Sequence, residues 1–222
     1  MKFAALETST EWCSAALWID GEILSAEERA GNRHSELVLP MLEGLLIKKN
    51  IAIAELDAIA FGAGPGSFTG LRVACGVAQG IAYAGGIPAI GISTLAAMAE
   101  ESGGVRVVAC LDARMREVYY SALERMDGKP GGRWLEVVPA LCAAPAAVPK
   151  PPGEGWIGCG NGFAAYGPMG YAKVIPDIHP TAMAVARLAA PRLAAGEGVD
   201  AAQAVPVYLR DKVAFTEAER GA

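Results

Sequence analysis

The residues best suited to chemistry stand in the run Gly62-Ala63-Gly64-Pro65-Gly66-Ser67-Phe68-Thr69-Gly70-Leu71-Arg72. Glycines allow close backbone approach, Pro65 fixes its own φ, and Ser67 or Thr69 can cap a helix that follows. Such a turn aims backbone N–H groups and the positive end of a helix at one point, the arrangement that holds a phosphate. Any tight strand-to-helix connection has the same composition, so the turn alone leaves both readings open. Ser67, Ser93 and the five cysteines are available as nucleophiles, but no spacing sets His34 or His179 beside any of them. Cys13, Cys75, Cys110, Cys142 and Cys159 are odd in number and lack a C-x-x-C pair. That argues against a disulfide framework and a zinc site and for a reducing cytoplasm. His34 has no neighbouring carboxylate pair or cysteine to make a metal site and is expected to cap a helix or be solvated.

The elements that must position this turn follow from periodicity. Leu56 to Phe61 reads as the strand before it and Thr69 to Ala84 as the helix after it. Lys2 to Leu6 is a first strand. Ser14 to Ile19 and Glu22 to Glu27 flank Asp20-Gly21, a two-residue hairpin turn. Ser35 is placed to cap a helix with Leu37, Val38, Met41, Leu42, Leu45 and Leu46 on one face and Lys48 and Lys49 in its last turn. Strands follow at Ala89 to Ile92, Val105 to Asp112, Val118 to Leu123, Trp134 to Val138 and Trp156 to Gly160. Helices are expected at Thr94 to Glu101, Phe163 to Tyr166 and Ala182 to Ala195, the last capped by Thr181 and ended by Gly196. Ala140 to Pro152 reads as an Ala/Pro-rich surface connection. Alternating strands and helices after an antiparallel start predict an α/β fold with a mixed sheet.

A chain of 222 residues with 53% hydrophobic content can build one large domain or two lobes. A net charge of −5 and no basic run longer than Lys48-Lys49 exclude a protein that grips nucleic acid by itself through a contiguous basic tract. The uncharged stretch between Arg72 and Glu100 is divided by Gln79 and Gly85-Gly86-Ile87-Pro88 and reads as buried core, with no membrane span expected. Glu7 and Glu11 interrupt any apolar signal core, so a cytoplasmic protein is expected.

The helix after the glycine turn carries small residues in two stripes, Gly70, Ala74, Ala78, Ala82 and Gly76, Gly80, Ala84, beside bulky Val73, Val77 and Ile81. Each internal glycine costs a helix up to about 1 kcal/mol relative to alanine. Repeated use therefore predicts close approach by another helix, either inside the lobe or across an interface.

Leu6-Glu7-Thr8-Ser9, His34 to Pro40, Gly64-Pro65-Gly66-Ser67-Phe68-Thr69-Gly70-Leu71-Arg72, Gly91 to Leu95, Asp112-Ala113-Arg114 and Pro206-Val207-Tyr208-Leu209-Arg210 together resemble the TsaB (YeaZ) family, in that family's order and over nearly the whole chain. The resemblance implies a fold of the actin, sugar kinase and chaperone ATPase type, with two ribonuclease H-like lobes. These are expected at 1–104, with the dimerisation helices, and at 105–222, the smaller lobe. It also implies a non-catalytic partner of TsaD in threonylcarbamoyl transfer to the tRNA adenosine next to the anticodon, with TsaE in the complex and a homodimer when alone. Contact with tRNA is expected only through the complex.

The His-x-x-x-His metal pair of TsaD-type relatives aligns with Thr94 and Met98, so no metal, cofactor or catalytic residue is assigned. Glu7-Thr8-Ser9-Thr10 takes the place of a first phosphate loop without its aspartate, and Asp112-Ala113-Arg114 lacks a Gly-rich second one. Gly158-Cys159-Gly160-Asn161-Gly162 could be a remnant nucleotide turn, though a strand-to-helix connection is favoured. The partner interface is assigned to Leu37, Met41, Leu45, Gly70, Val73, Ala74, Val77, Ala78 and Ile81, because a sheet covers only one side of a helix pair. The alternative function is an ATP-binding or hydrolytic, peptidase-like enzyme.

Overall fold

The computed structural model describes residues 1–210. The first sheet is built from β1 (Lys2–Glu7), β2 (Trp12–Ile19), β3 (Glu22–Arg29), β4 (Ala58–Gly64) and β5 (Ala89–Ser93), with α1 (His34–Lys49) before β4 and α2 (Phe68–Gly85) after it. α3 (Thr94–Glu101) leads to the second sheet, β6 (Arg106–Arg114), β7 (Glu117–Arg125), β8 (Trp134–Ala143), β9 (Ile157–Cys159) and β10 (Val174–Ile175). α4 (Asn161–Tyr166) and α5 (Ala182–Ala194) complete the helices named here.

The strand orders are β3-β2-β1-β4-β5 and β10-β9-β6-β7-β8. Each sheet is a three-stranded antiparallel meander extended by two parallel strands, so the second repeats the topology of the first. This is the two-lobed mixed-sheet fold expected from the sequence. The last part of the expected second lobe, 211–222, lies outside the described residues.

Alternation along β1 sends Ala4 and Leu6 to one face and Phe3 and Ala5 to the other. The first face meets Val38, Leu42 and Leu45 of α1 and Ala74 and Ala78 of α2. The second is covered by α5 through Ala182, Val185, Ala186 and Ala189. A strand buried on both faces needs an apolar run, as Phe3 to Leu6 of β1 and the residues of β4 supply, and Glu7 at the end of β1 is the exception. Between the sheets, Leu95 and Met98 of α3 pack against Val107 and Ala109 of β6. Glu100 at the end of α3 pairs with Arg125 of β7 at 2.9 Å, both nearly fully buried, and accepts further bonds from Trp134 Nε1 (3.1 Å) and Gly131 N (2.8 Å).

Three local expectations need correction. Ser35 does not cap α1: the helix begins at His34, Arg33 is the N-cap residue and makes no side-chain cap bond, and Ser35 is exposed. His34 is neither a cap nor solvated, since its ring is buried with Nε2 2.8 Å from the Thr10 carbonyl. The segment after Val138 is not all connection, because β8 continues through Pro139 to Ala143 as an edge strand. Pairing with β7 shifts register between Val138 and Leu141, and a proline is tolerated at such an edge bulge. Among the described residues no helix is long and apolar enough to cross a membrane.

Candidate functional site

The glycine turn is closed by the chain itself. Leaving β4, it passes a cis Gly64–Pro65 peptide and enters α2, whose N-cap Ser67 accepts through Oγ from Gly70 N at 3.3 Å. Its other contacts go to the turn between β1 and β2. Ser67 N donates to the Ser9 carbonyl at 2.7 Å, and Thr8 Oγ1 donates to the Gly70 carbonyl at 2.7 Å. A Cβ at Gly62 would overlap Glu7 Oε2, one at Gly66 would lie 2.6 Å from the Ser9 carbonyl, and one at Gly70 would overlap the Thr8 carbonyl. The glycines therefore admit the Glu7–Ser9 segment, and two donors of an anion cradle already have partners. Both sides of the expected phosphate position are held against each other.

Glu7 is 1% exposed, and its Oε1 accepts from Ser9 N at 2.5 Å. Its Oε2, Ser9 Oγ and Thr94 Oγ1 are buried without a partner among the described residues. Burial raises the Glu7 carboxyl above its ordinary value, and the bonds from Ser9 only partly oppose this.

The remaining candidates do not converge. His179 stacks on Trp12 with ring centroids 4.4 Å apart and reaches Glu27 at 3.3 Å, beside a cleft of about 340 Å³ lined also by Ser14, Glu101 and Thr181. His34 is committed to Thr10, and Ser67 to its own helix. Thr94 and Met98 are fully buried, and a Cβ at Gly160 would overlap Met98 Cε and the Cys110 carbonyl. Gly160 and Gly162 thus serve the packing of β9 and α4 on β6. Asn161 Oδ1 accepts from Asp112 N at 2.9 Å, and Tyr166 donates to Asp112 Oδ1 at 3.2 Å. Among the described residues no group of three or more His, Cys, Asp or Glu is arranged to hold a metal. Burial pushes the Cys13 thiol up to about 11 and the Cys110 thiol to about 12, which makes both poor nucleophiles.

The nine residues assigned to a partner interface separate into two groups. Leu45, Gly70, Ala74 and Ala78 are buried within the first lobe, and Gly70, Ala74, Ala78 and Ala82 form the stripe on which α2 approaches its own sheet. Leu37 and Met41 of α1 and Val73, Val77 and Ile81 of α2 are half-buried and pack at the margin of the first lobe's core. Gly76 and Gly80 lie on the outer surface, where an added Cβ would meet no atom within 4 Å. Leu39, Ile47 and Tyr83 are exposed, Tyr83 at 85%.

The sequence marks Pro206 to Arg210 only as part of the family resemblance and gives no sign of its bridging role, because the segment after Ala204 has no regular structure and so no periodicity to detect. Val207 N donates to the Ala63 carbonyl at 2.7 Å, Tyr208 Oη lies 3.2 Å from Arg72 Nε, and Arg210 reaches the second lobe. Arg210 donates to the Ala113 carbonyl at 2.8 Å and pairs with Glu117. The segment spans the gap between the glycine turn and the β6–β7 turn.

Two duplicated mixed-sheet lobes meeting beside paired turns define a protein of the actin, sugar kinase and chaperone ATPase class. The pattern of the TsaD family, described as tRNA N6-adenosine threonylcarbamoyltransferase, matches residues 26–131. The tRNA threonylcarbamoyladenosine biosynthesis protein TsaB of Escherichia coli is 36% identical, over 97% of this chain and 97% of its own. Its Haemophilus influenzae counterpart is also 36% identical, over 95% and 94% respectively. The solved structure of YeaZ from Pseudomonas aeruginosa superposes with a TM-score of 0.87 at 39% identity, covering 94% of this chain and 99% of that one. The chain belongs to the TsaB family.

Proposed function

We propose that the chain acts in threonylcarbamoyladenosine biosynthesis on tRNA as a non-catalytic subunit that docks a TsaD-type transferase. The observation that carries this reading is the closed turn: Ser67 N on the Ser9 carbonyl and Glu7 over Gly62 fill the place where a catalytic relative would cradle phosphate. The names of the relatives supply the pathway. The docking surface is the outer face of α1 and α2, formed by Leu37, Met41, Val73, Val77 and Ile81 with Gly76 and Gly80 beside them. Two exposed glycines weaken a helix that touches nothing there, and they permit another helix to come close. A second copy docks on the same face when no transferase is present, giving a four-helix arrangement. TsaE and tRNA join through the transferase complex, in the cytoplasm.

Size-exclusion chromatography with light scattering on mixtures with the TsaD-type protein of the same organism tests the docking. The expected result is a heterodimer formed at the expense of the homodimer. A transferase that bound an intact homodimer would contradict the shared face.

A further inference from the structure

Folding brings together arginines that are scattered in the sequence. Arg72 lies in the first turns of α2 with its guanidinium 3.7 Å from the Phe68 ring centroid, and Phe68 and Tyr208 have ring centroids 5.3 Å apart. Tyr208 and Arg210 line one small pocket with Phe68 and Tyr119. Arg210 in turn holds the carbonyls of Ala113 (2.8 Å) and Arg114 (3.5 Å) at the tip between β6 and β7. At this tip Arg114, Met115 and Arg116 have φ of 61°, 54° and 61°, and all three are exposed. Arg72, Arg114 and Arg116 are exposed along one ridge across both lobes, linked by the mostly buried Arg210, against two carboxylates, Asp112 on Arg114 and Glu117 on Arg210. Arg72 and Arg116 make no ion pair among the described residues.

We infer that this arginine and aromatic ridge is a direct contact surface for the phosphodiester backbone of RNA, used when the chain stands in its complex. The inference rests on the tRNA role proposed above and adds that this subunit touches the RNA itself. A chain of net charge −5 gains no general attraction for polyanions, so its grip must be local, and here it is concentrated on one ridge. Guanidinium groups fork onto phosphate oxygens, and those stacked on aromatic rings are already oriented. The ridge begins at Arg72, one residue before Val73 of the proposed docking face, so RNA held there would lie beside the bound transferase.

The test is binding of a full-length tRNA transcript to the complex of this chain with its TsaD-type partner, measured across a series of salt concentrations. The variant carries Arg114→Asn and Arg116→Asn, since asparagine accepts positive φ and removes both charges. Because two guanidinium groups no longer neutralise phosphates, the slope of log affinity against log salt should become shallower by about 2, with affinity falling about tenfold or more at moderate salt. If the wild-type complex binds no tRNA, the RNA role and this inference fall together. If the variant complex binds tRNA with unchanged affinity and slope, only this inference falls. If the variant instead weakens association with the transferase while RNA affinity of the assembled complex is unchanged, the ridge is a protein interface and the inference is overturned.

Discussion

Glu7 Oε2 occupies the space that a Cβ on residue 62 would need, so the β1 carboxyl and the Gly62 backbone form a fitted pair across adjacent parallel strands. Gly62→Ala must displace a carboxyl that is 1% exposed, and overpacking of this kind costs about 1–3 kcal/mol. Denaturant titration of Gly62→Ala, Glu7→Ala and the double variant checks this. The double variant should be more stable than the sum of the single losses predicts, and strict additivity would show that the two do not share the space.

The same carboxyl sets a pH dependence. Its folded-state value is raised above the ordinary 4.5, so the unfolded chain releases this proton first. The contribution of Glu7 is therefore fully present below 4.5 and is lost as pH rises through its raised folded value. Glu7→Gln keeps the neutral shape and removes the titration. Unfolding free energies measured from acid to neutral pH should show the variant gaining on the wild type as pH rises, whereas parallel curves would mean that Glu7 ionises freely in the fold.

Glu100 and Arg125 join α3 to the second sheet at 2.9 Å with little solvent to screen them. Glu100→Ala leaves Arg125 buried beside Trp134 without its counter-charge, and breaking a buried pair from one side typically costs about 3–5 kcal/mol. A melting temperature within a degree or two of the wild type would contradict a structural role for the pair.

Among the described residues Cys142 is the only cysteine that is not buried, although burial also raises its thiol and Arg210 partly offsets this. A thiol reagent applied to the native protein should therefore label one site slowly, and Cys142→Ser should abolish that labelling. Mass spectrometry finding adducts on Cys110 or Cys159 in the folded chain would contradict the core as described.

Elements whose local signals agree with their packing were legible in the sequence. Asp20-Gly21 joined its hairpin, Thr94 to Glu101 formed its helix, and α2 departed by one residue at each end from the helix expected between Thr69 and Ala84. What was hidden depended on distant partners. Nothing near His34 signals that the Thr10 carbonyl will meet it, and Pro139 masks the continuation of β8 because its tolerance comes from the edge position and bulge. Helix periodicity placed Leu45, Ala74 and Ala78 on an apolar face, but whether sheet or partner covers that face depends on which side of the sheet the helix takes. The arginine ridge joins residues 72, 114, 116 and 210 through a segment without periodicity.

The central claim is that the outer α1–α2 face makes a TsaD-type transferase active. It is tested most directly by threonylcarbamoyladenosine formation on a tRNA transcript in a reconstituted reaction containing Gly80→Leu. Gly80 is exposed with no atom near its missing Cβ, and leucine favours helix over glycine by up to about 1 kcal/mol, so the isolated chain should fold at least as well as the wild type. The account predicts that the reaction requires this chain and that the folded Gly80→Leu variant fails to support it, with heterodimer formation lost in parallel. A transferase that forms product without the chain, or at the wild-type rate with the variant, would contradict it.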